Sequence, residues 1–486
     1  MKKAICICLF LLFAYLPASI GQSQSSEEYF QQGREHMAQG NNENALANFN
    51  KAVELDSQND QAYFGLAFVY QDIGEYRQSL ENIDKAIKLN PARAIYWRLR
   101  SQSHNALGQY QEVVADLSQA IELEPQEVVN YSNRAHAFTL LKQYPQAILD
   151  YKKAIELDPQ ELNYYFKIAY LYEDLDQKQE ALSYYNKIIE LDPKDSYAYE
   201  GRGFVYEQLG QYQKALEDYT KTIELNPKLP ELWHARANIY NELERYQDAL
   251  FDLNKVIELE PTNTAAYINR GLMYAQLKQY QKAIPDYQKA LEFEPQNADT
   301  YYNLGNAYLE LENIKEALTC FNKAIELDPQ FIKSYSKRGF VHIWLEDYQN
   351  VVADYTMVIE HTDAGVTAYN NRGTAYSYLG EDQKALADYN KAIEIDPQLF
   401  VSYHNRGDTY RKLKQYQKAI TDYNRAIQLE PKSARTYTHR AMAYTELGEY
   451  DKALADAKIA VQFEPEDEVN LKLLQELEQK SKGGRV

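Results

Sequence analysis

Apolar and polar positions along this chain follow helical spacing in paired blocks, and the pair recurs every 34 residues. Within one period the apolar residues fall in two runs, split by a short turn such as Leu209 to Gln211, which predicts two helices per unit. Proline marks the period at Pro91, Pro125, Pro159, Pro193, Pro227, Pro261, Pro295, Pro329, Pro397, Pro431 and Pro465. Asp363 interrupts that ladder and Ser57 extends it by one place. With the proline numbered slot 32, the chain holds thirteen repeats running from Ser26 to Asp467. A fixed period over most of a chain means stacked supersecondary units rather than one globular core.

The slots differ in what they tolerate. Slot 4 is aromatic throughout, from Tyr29 through Trp97 and Trp233 to Tyr437. Slot 8 is always Gly, Ala or Ser, and slot 20 is mostly Ala, as at Ala45, Ala147, Ala283 and Ala419. Small residues there let the two helices of a unit approach closely, while aromatics at slots 4, 11 and 24 fill the space between units. Proline at slot 32 ends the second helix because it has no amide to donate. Pro230 falls at slot 1, where a first-turn proline is favourable; Pro285, inside a second helix, predicts a local kink.

This pattern resembles the tetratricopeptide repeat family, with Tyr usually replacing its Trp and Arg often replacing its Leu. The resemblance implies an all-α, right-handed superhelical solenoid whose concave wall is lined by first-helix slots 2, 5, 9, 12 and 13. Those slots vary far more than slots 4, 8, 20 and 32, which suits recognition. In repeats 5 and 6 they hold Phe166, Tyr170, Glu173, Asp174, Tyr197, Glu200, Phe204 and Glu207, a mixture that fits an extended peptide with basic and apolar side chains. Repeat 10 offers a second partner-binding cluster in Phe340, Ile343 and Trp344, and repeats 1 and 2 offer Phe30, Met37, Phe64 and Phe68. Asn133, Asn269, Asn303, Asn371 and Asn405 on slot 6 are similar to the asparagine ladder with which some such solenoids hold a peptide backbone.

Thirteen copies also form an alignment inside one chain. Slot 7 is Arg in nine repeats, Arg100 to Arg440, and slot 23 is Asp in the same nine, Asp116 to Asp456. The other four lack both partners: Gln32 with Asn48, Leu66 with Asn82, Ile168 with Tyr184, and Leu304 with Cys320. Joint gain and loss of two slots predicts contact, here an ion pair within each repeat.

Charge and ends refine the setting. Met1 to Gly21 reads as a cleaved export signal: Lys2 and Lys3, an apolar run from Ala4 to Leu16, then small residues. The run is too short to span a bilayer, so no permanent membrane anchor is expected. Removing it takes Cys6 and Cys8 and leaves Cys320 as the sole thiol, an inert one because it fills a vacated charge slot. The formal net charge of -19 argues against nucleic acid and anionic membranes. A periplasmic or secreted protein fits best. Glu360 to Val366 departs from the repeat and marks a candidate hinge, and Glu468 to Lys480 should form a capping helix before a frayed Ser481 to Val486.

Catalytic constellations are missing from the sequence. No Gly-rich phosphate loop, HExxH or GxSxG occurs. The eight histidines lie apart, and His36, His104 and His342 take slot 11, where Tyr usually packs, so they read as core residues and not metal ligands. No cofactor and no metal are expected. The sequence predicts a non-enzymatic scaffold or adaptor in the bacterial envelope that binds protein or an extended peptide; the alternative is an assembly chaperone or regulatory partner of a secreted enzyme.

Overall fold

In the computed structural model, residues 24–363 and 365–483 are described, with side chains up to 480. The expected export signal, Met1 to Gly21, lies outside them. Among the described residues there are twenty-seven α-helices and no strand. They run as hairpins of a 13-residue first helix and a 14-residue second helix, such as Phe400–Lys412 with Tyr416–Leu429. The fold is an all-α helical-repeat solenoid. The chain divides into two compact units, Met1–Pro227 and Lys228–Val486, a boundary that the sequence reading does not single out.

Inside each unit the two helices of a hairpin pack on each other, and each second helix packs on the first helix of the next hairpin. Several successive first helices also touch, as Ser26–Ala38 touches Asp60–Asp72 and Phe400–Lys412 touches Ala434–Glu446. First helices therefore form a layer of their own, and neighbours in that layer are the units available to build a site.

The close approach has an atomic cause. The slot 24 ring lies directly over slot 8, so a Cβ on Gly271 would come 2.6 Å from the Tyr287 ring, and one on Gly407 would come 2.8 Å from Tyr423. Ala45, Ala147, Ala283 and Ala419 at slot 20 are each 0% exposed. Every hairpin reverses through one left-handed residue at slot 15. Glycine fills it at Gly40, Gly74, Gly108, Gly210, Gly380 and Gly448, whereas Lys142, Asp176, Glu244, Lys278, Glu312, Glu346 and Lys414 hold φ between 55° and 58° without that freedom. Second helices end two residues before the proline, and the residue between is extended; Asp192 sits at φ -134°, ψ 95°.

Other expectations meet the structure unevenly. Pro230 opens its helix at the first turn. Pro285 lies inside Tyr280–Phe293, which continues through it. Between repeats 10 and 11, helices Tyr348–His361 and Val366–Tyr378 pack on each other across the irregular Glu360 to Val366 stretch. The last helix, Glu468–Gly483, runs beyond Lys480 into the segment expected to fray, and residues 484–486 lie outside the described ones. Its Leu477, 1% exposed, packs with Ala441, Ala453 and Ala457.

Candidate functional site

Each first helix is anchored before it presents anything. The nine Arg–Asp pairs all form, with guanidinium and carboxylate in a two-bond fork: Arg202 Nε and Nη2 donate to Asp218 at 2.8 and 2.6 Å, and Arg372 donates to Asp388 at 2.8 Å from both nitrogens. Burial pushes the Asp218 carboxyl up and Arg202 pulls it back, while the same fork raises Arg202. Two further contacts were not legible beforehand. The third nitrogen reaches slot 25 of the preceding repeat, as Arg202 Nη1 does to Asn186 at 2.6 Å and Arg406 Nη1 to Asn390 at 2.6 Å. The guanidinium also stacks on its own slot 4 ring, 4.8 Å from Trp97 for Arg100 and 5.5 Å from Tyr199 for Arg202. The slot 4 ring in turn donates to the proline carbonyl six residues back, Trp97 Nε1 to Pro91 at 2.8 Å. In one exception to the pairing, Cys320 is buried beside Leu304, and burial pushes its thiol up to about 12, which leaves it unreactive.

With the anchors placed, the variable slots of repeats 5 and 6 come together on neighbouring first helices, Leu162–Asp174 and Ser196–Gln208. Tyr170, Tyr197 and Phe204 are 50%, 67% and 45% exposed, and their grouping on two neighbouring helices, more than the exposure itself, sets them apart. Phe166 is half-buried and stands 6.2 Å from the Tyr170 ring. Tyr185, from the second helix of repeat 5, forms the floor, edge-on to both at 6.3 and 6.4 Å. Its hydroxyl donates to Glu173 at 2.5 Å, and Tyr219 donates to Glu207 at 2.7 Å in the next repeat. Glu173 and Glu207 are thereby half-buried and fixed, Glu200 is half-buried, and Asp174 is exposed. Burial pushes the Glu173 carboxyl above its ordinary range, with the Tyr185 hydroxyl opposing and Asp174 adding to the rise. The floor tyrosine was missed in the sequence, although Glu at slot 12 in these two repeats alone, with Tyr at slot 24, carries the signal.

Elsewhere the structure separates residues that the sequence grouped. Phe340 and Trp344 are 39% and 50% exposed with rings 5.7 Å apart, but Ile343 turns inward onto the cluster of Val351 and Tyr355. Phe30 is buried against Phe49, Met37 packs on that same core, and Phe64 stacks on Tyr96 beside Phe68. These four therefore pack the repeats and leave no apolar face. Three of the five slot 6 amides are engaged within the chain: Asn269 contacts His234 Nε2 at 2.7 Å, Asn371 donates to the Tyr355 hydroxyl at 2.9 Å, and Asn405 donates to Asn370 at 3.3 Å.

The histidines are less scattered than they read. His404, Asp408 and His439 converge on adjacent first helices of repeats 12 and 13, each offering a ligand atom within 4.8 Å of the others. Burial pushes the Asp408 carboxyl up, and the two imidazoles outweigh it, holding the group well below the usual carboxylate range. Comparing like slots across repeats conceals this cluster, because it draws on slots 5 and 9 of one repeat and slot 6 of the next.

Family models described as Tetratricopeptide repeat match residues 130–161, 196–229, 230–263, 298–331 and 366–399. Others so described match 253–284 and 388–421, 162–195 and 434–467, and 69–128. A model described as TPR repeat matches 33–74, 271–312 and 407–448. No curated protein matches the chain in sequence. Among solved structures the chain is similar to YrrB, a TPR protein with an unusual peptide-binding site, at 28% identity over 39% of this chain and 97% of that one, TM-score 0.36. It is similar to a tetratricopeptide repeat protein from Parabacteroides merdae at 22% identity over 51% and 99%, TM-score 0.39. It is also similar to the APC/C hetero-tetramer Cut9-Hcn1 at 15% identity over 94% and 96%, TM-score 0.38. Because the models match hairpin after hairpin in the register that the proline ladder sets, the chain belongs to the tetratricopeptide repeat family.

Proposed function

We propose that this protein is exported to the bacterial envelope and acts there as an adaptor that binds an extended peptide, rich in basic and apolar side chains, along the first helices of repeats 5 and 6. Membership of its family makes it a protein–protein interaction scaffold, and such repeats bind protein or peptide partners and are typically non-enzymatic. The finer reading rests on one observation above all: three exposed aromatic rings alternate with carboxylates that tyrosine hydroxyls already hold in place. Fixed acceptors and rigid rings lose little freedom when a ligand arrives, so they favour binding over nonspecific adhesion. Phe340 and Trp344, in the second unit, are a separate candidate contact.

Export is supported by Lys2, Lys3 and the apolar run that follows. Among the described residues no helix is long and apolar enough to cross a membrane. Mass spectrometry of the protein recovered from cells should find the chain beginning after Gly21, and an intact Met1 in the mature protein would refute export by this signal.

The binding test uses an array of extended peptides that vary in Lys, Arg and aromatic content, read by calorimetry. Basic-apolar peptides should bind, and the triple substitution Phe166→Ala, Tyr170→Ala, Phe204→Ala should weaken them at least about tenfold, the effect of losing one modest hot spot. Equal affinity for the triple variant would remove this surface from the reading.

A further inference from the structure

We propose that His404, Asp408 and His439 form a binding site for one divalent transition-metal ion, with zinc the best-fitting member of that class. The inference is independent of the peptide-binding reading and lies in other repeats.

The residues meet for simple reasons. His404 and Asp408 are four apart on helix Phe400–Lys412 and so share a face, and His439 comes from the adjacent first helix, Ala434–Glu446. The chain's own hydrogen bonds leave two donor atoms unspent. Asp408 Oδ1 accepts from the Tyr423 hydroxyl at 2.6 Å and lies 2.6 Å from His439 Nδ1, which occupies that oxygen. Asp408 Oδ2 faces His404 Nε2 at 3.4 Å. That nitrogen is buried in a residue only 5% exposed and has no hydrogen-bond partner. With the Nδ1 proton of His404 given to Thr436 Oγ1, 2.9 Å away, Nε2 presents its lone pair to a carboxylate oxygen.

In that tautomer two lone pairs meet in a buried site, a repulsion that a proton between them or a metal ion relieves, and the metal ion is the case proposed. Their 3.4 Å separation is the edge of a ligand tetrahedron around zinc, roughly 3.3 Å for bonds of about 2.0–2.1 Å. Imidazole and carboxylate together suit zinc and its first-row neighbours better than calcium or magnesium, which take oxygen ligands. Ligand sites also carry an outer shell that orients the ligands. Here Thr436 fixes the His404 ring, Tyr423 fixes the carboxylate, and the two imidazoles stack at 5.2 Å.

Access and competition are both visible. The Asp408 and His439 side chains are 24% and 17% exposed, so an ion can enter from solvent. Arg435 stands 3.9 Å from Asp408 Oδ2, and its side chain, 68% exposed, is free to withdraw. Arg411 on the same helix interacts with Tyr423. Ligation by His439 would exchange its bond to Asp408 Oδ1 for the ion or use the other ring nitrogen, and the three protein ligands would leave a fourth position for water or for a donor from a partner.

The test takes the full mature chain without a histidine tag, stripped with chelator and titrated with zinc by calorimetry and with cobalt by visible absorption. One equivalent of zinc should bind, and cobalt should develop the visible bands of a low-coordinate nitrogen-oxygen site. Asp408→Asn and His439→Gln should each weaken zinc at least about tenfold, as even outer-shell losses do, while their far-UV circular dichroism stays that of the parent. His361→Gln, at an exposed ring bonded to the Met357 carbonyl, should leave binding unchanged. Absence of a stoichiometric site, or equal binding by the Asp408→Asn, His439→Gln double variant, would overturn the proposal; the latter would assign the ion to surface carboxylates.

Discussion

At the scale of single residues, the Arg–Asp fork is held together by balance more than by net gain. Its carboxylates are nearly buried, Asp388 at 6% exposure, so their desolvation offsets much of the attraction to the guanidinium. Removing one partner leaves the other buried and unpaired, whereas removing both can cost little. Asp388→Leu should therefore destabilise the protein by about 3–5 kcal/mol, and Asp388→Leu together with Arg372→Met by much less. Denaturant unfolding of the four proteins in a double-mutant cycle measures the coupling, and additive losses would reject it. The repeats without the pair carried this forecast in the sequence, since each had lost both members. What could not be read was the third arm of the arginine, because slot 25 varies among Asp84, Ser118, Asn186 and Thr356, which share only an acceptor oxygen.

Glu173 contributes one part of the pH dependence. Its folded value lies above the ordinary 4.5 because burial disfavours the charge. Such a group contributes stability that is fully present below its unfolded value and is lost as pH rises through its folded value. Glu173→Gln keeps an acceptor for Tyr185 and removes the buried charge. The variant should thus be more stable than the parent at neutral pH, and the advantage should vanish below about pH 4.5, the unfolded value. Thermal melts across that range check it; an advantage that grew in acid would show the opposite shift.

At the scale of the element, the hairpin is set by where the chain turns. Slot 15 must be left-handed in all thirteen repeats, and the sequence announces this only where glycine stands there. Lys414 occupies the same conformation at φ 57° against steric preference. Lys414→Gly should raise stability by about 1 kcal/mol, the cost an L-residue bears in that region, reduced by the greater freedom of glycine in the unfolded chain. Chemical denaturation of the variant against Gly448→Ala, which should lose a similar amount, tests both directions. The close seating of slot 24 on slot 8 belongs to this scale too. The alternation of ring and small residue was readable, but which ring covers which glycine follows from the hairpin's closure.

At the scale of the whole molecule, contacts within a stack join neighbours only, so the last hairpin of the second unit needs a cover. Helix Glu468–Gly483 provides it, burying Leu477 and, through Asn470, satisfying Thr438. Deleting residues 468–486 should lower the melting temperature by several degrees and promote association through the bared face of Ala453 and Ala457, measured by scanning calorimetry and light scattering. An unchanged melt would mean that the final hairpin stands without its cover.

Periodicity decided the most. A repeat written thirteen times fixes helix length, turn position and the buried face, because each copy must satisfy the same packing with the same short-range contacts, and an ion pair reveals itself when both slots change together. The proposals of export and of ligand class rest on the residues themselves. Tertiary structure decided what distinct slots do when neighbouring helices bring them together: Tyr185 beneath Tyr170, Ile343 turned inward, and His404, Asp408 and His439 around one point. Those groupings arise from stacking between unlike positions, and a pattern compared slot by slot carries no record of them.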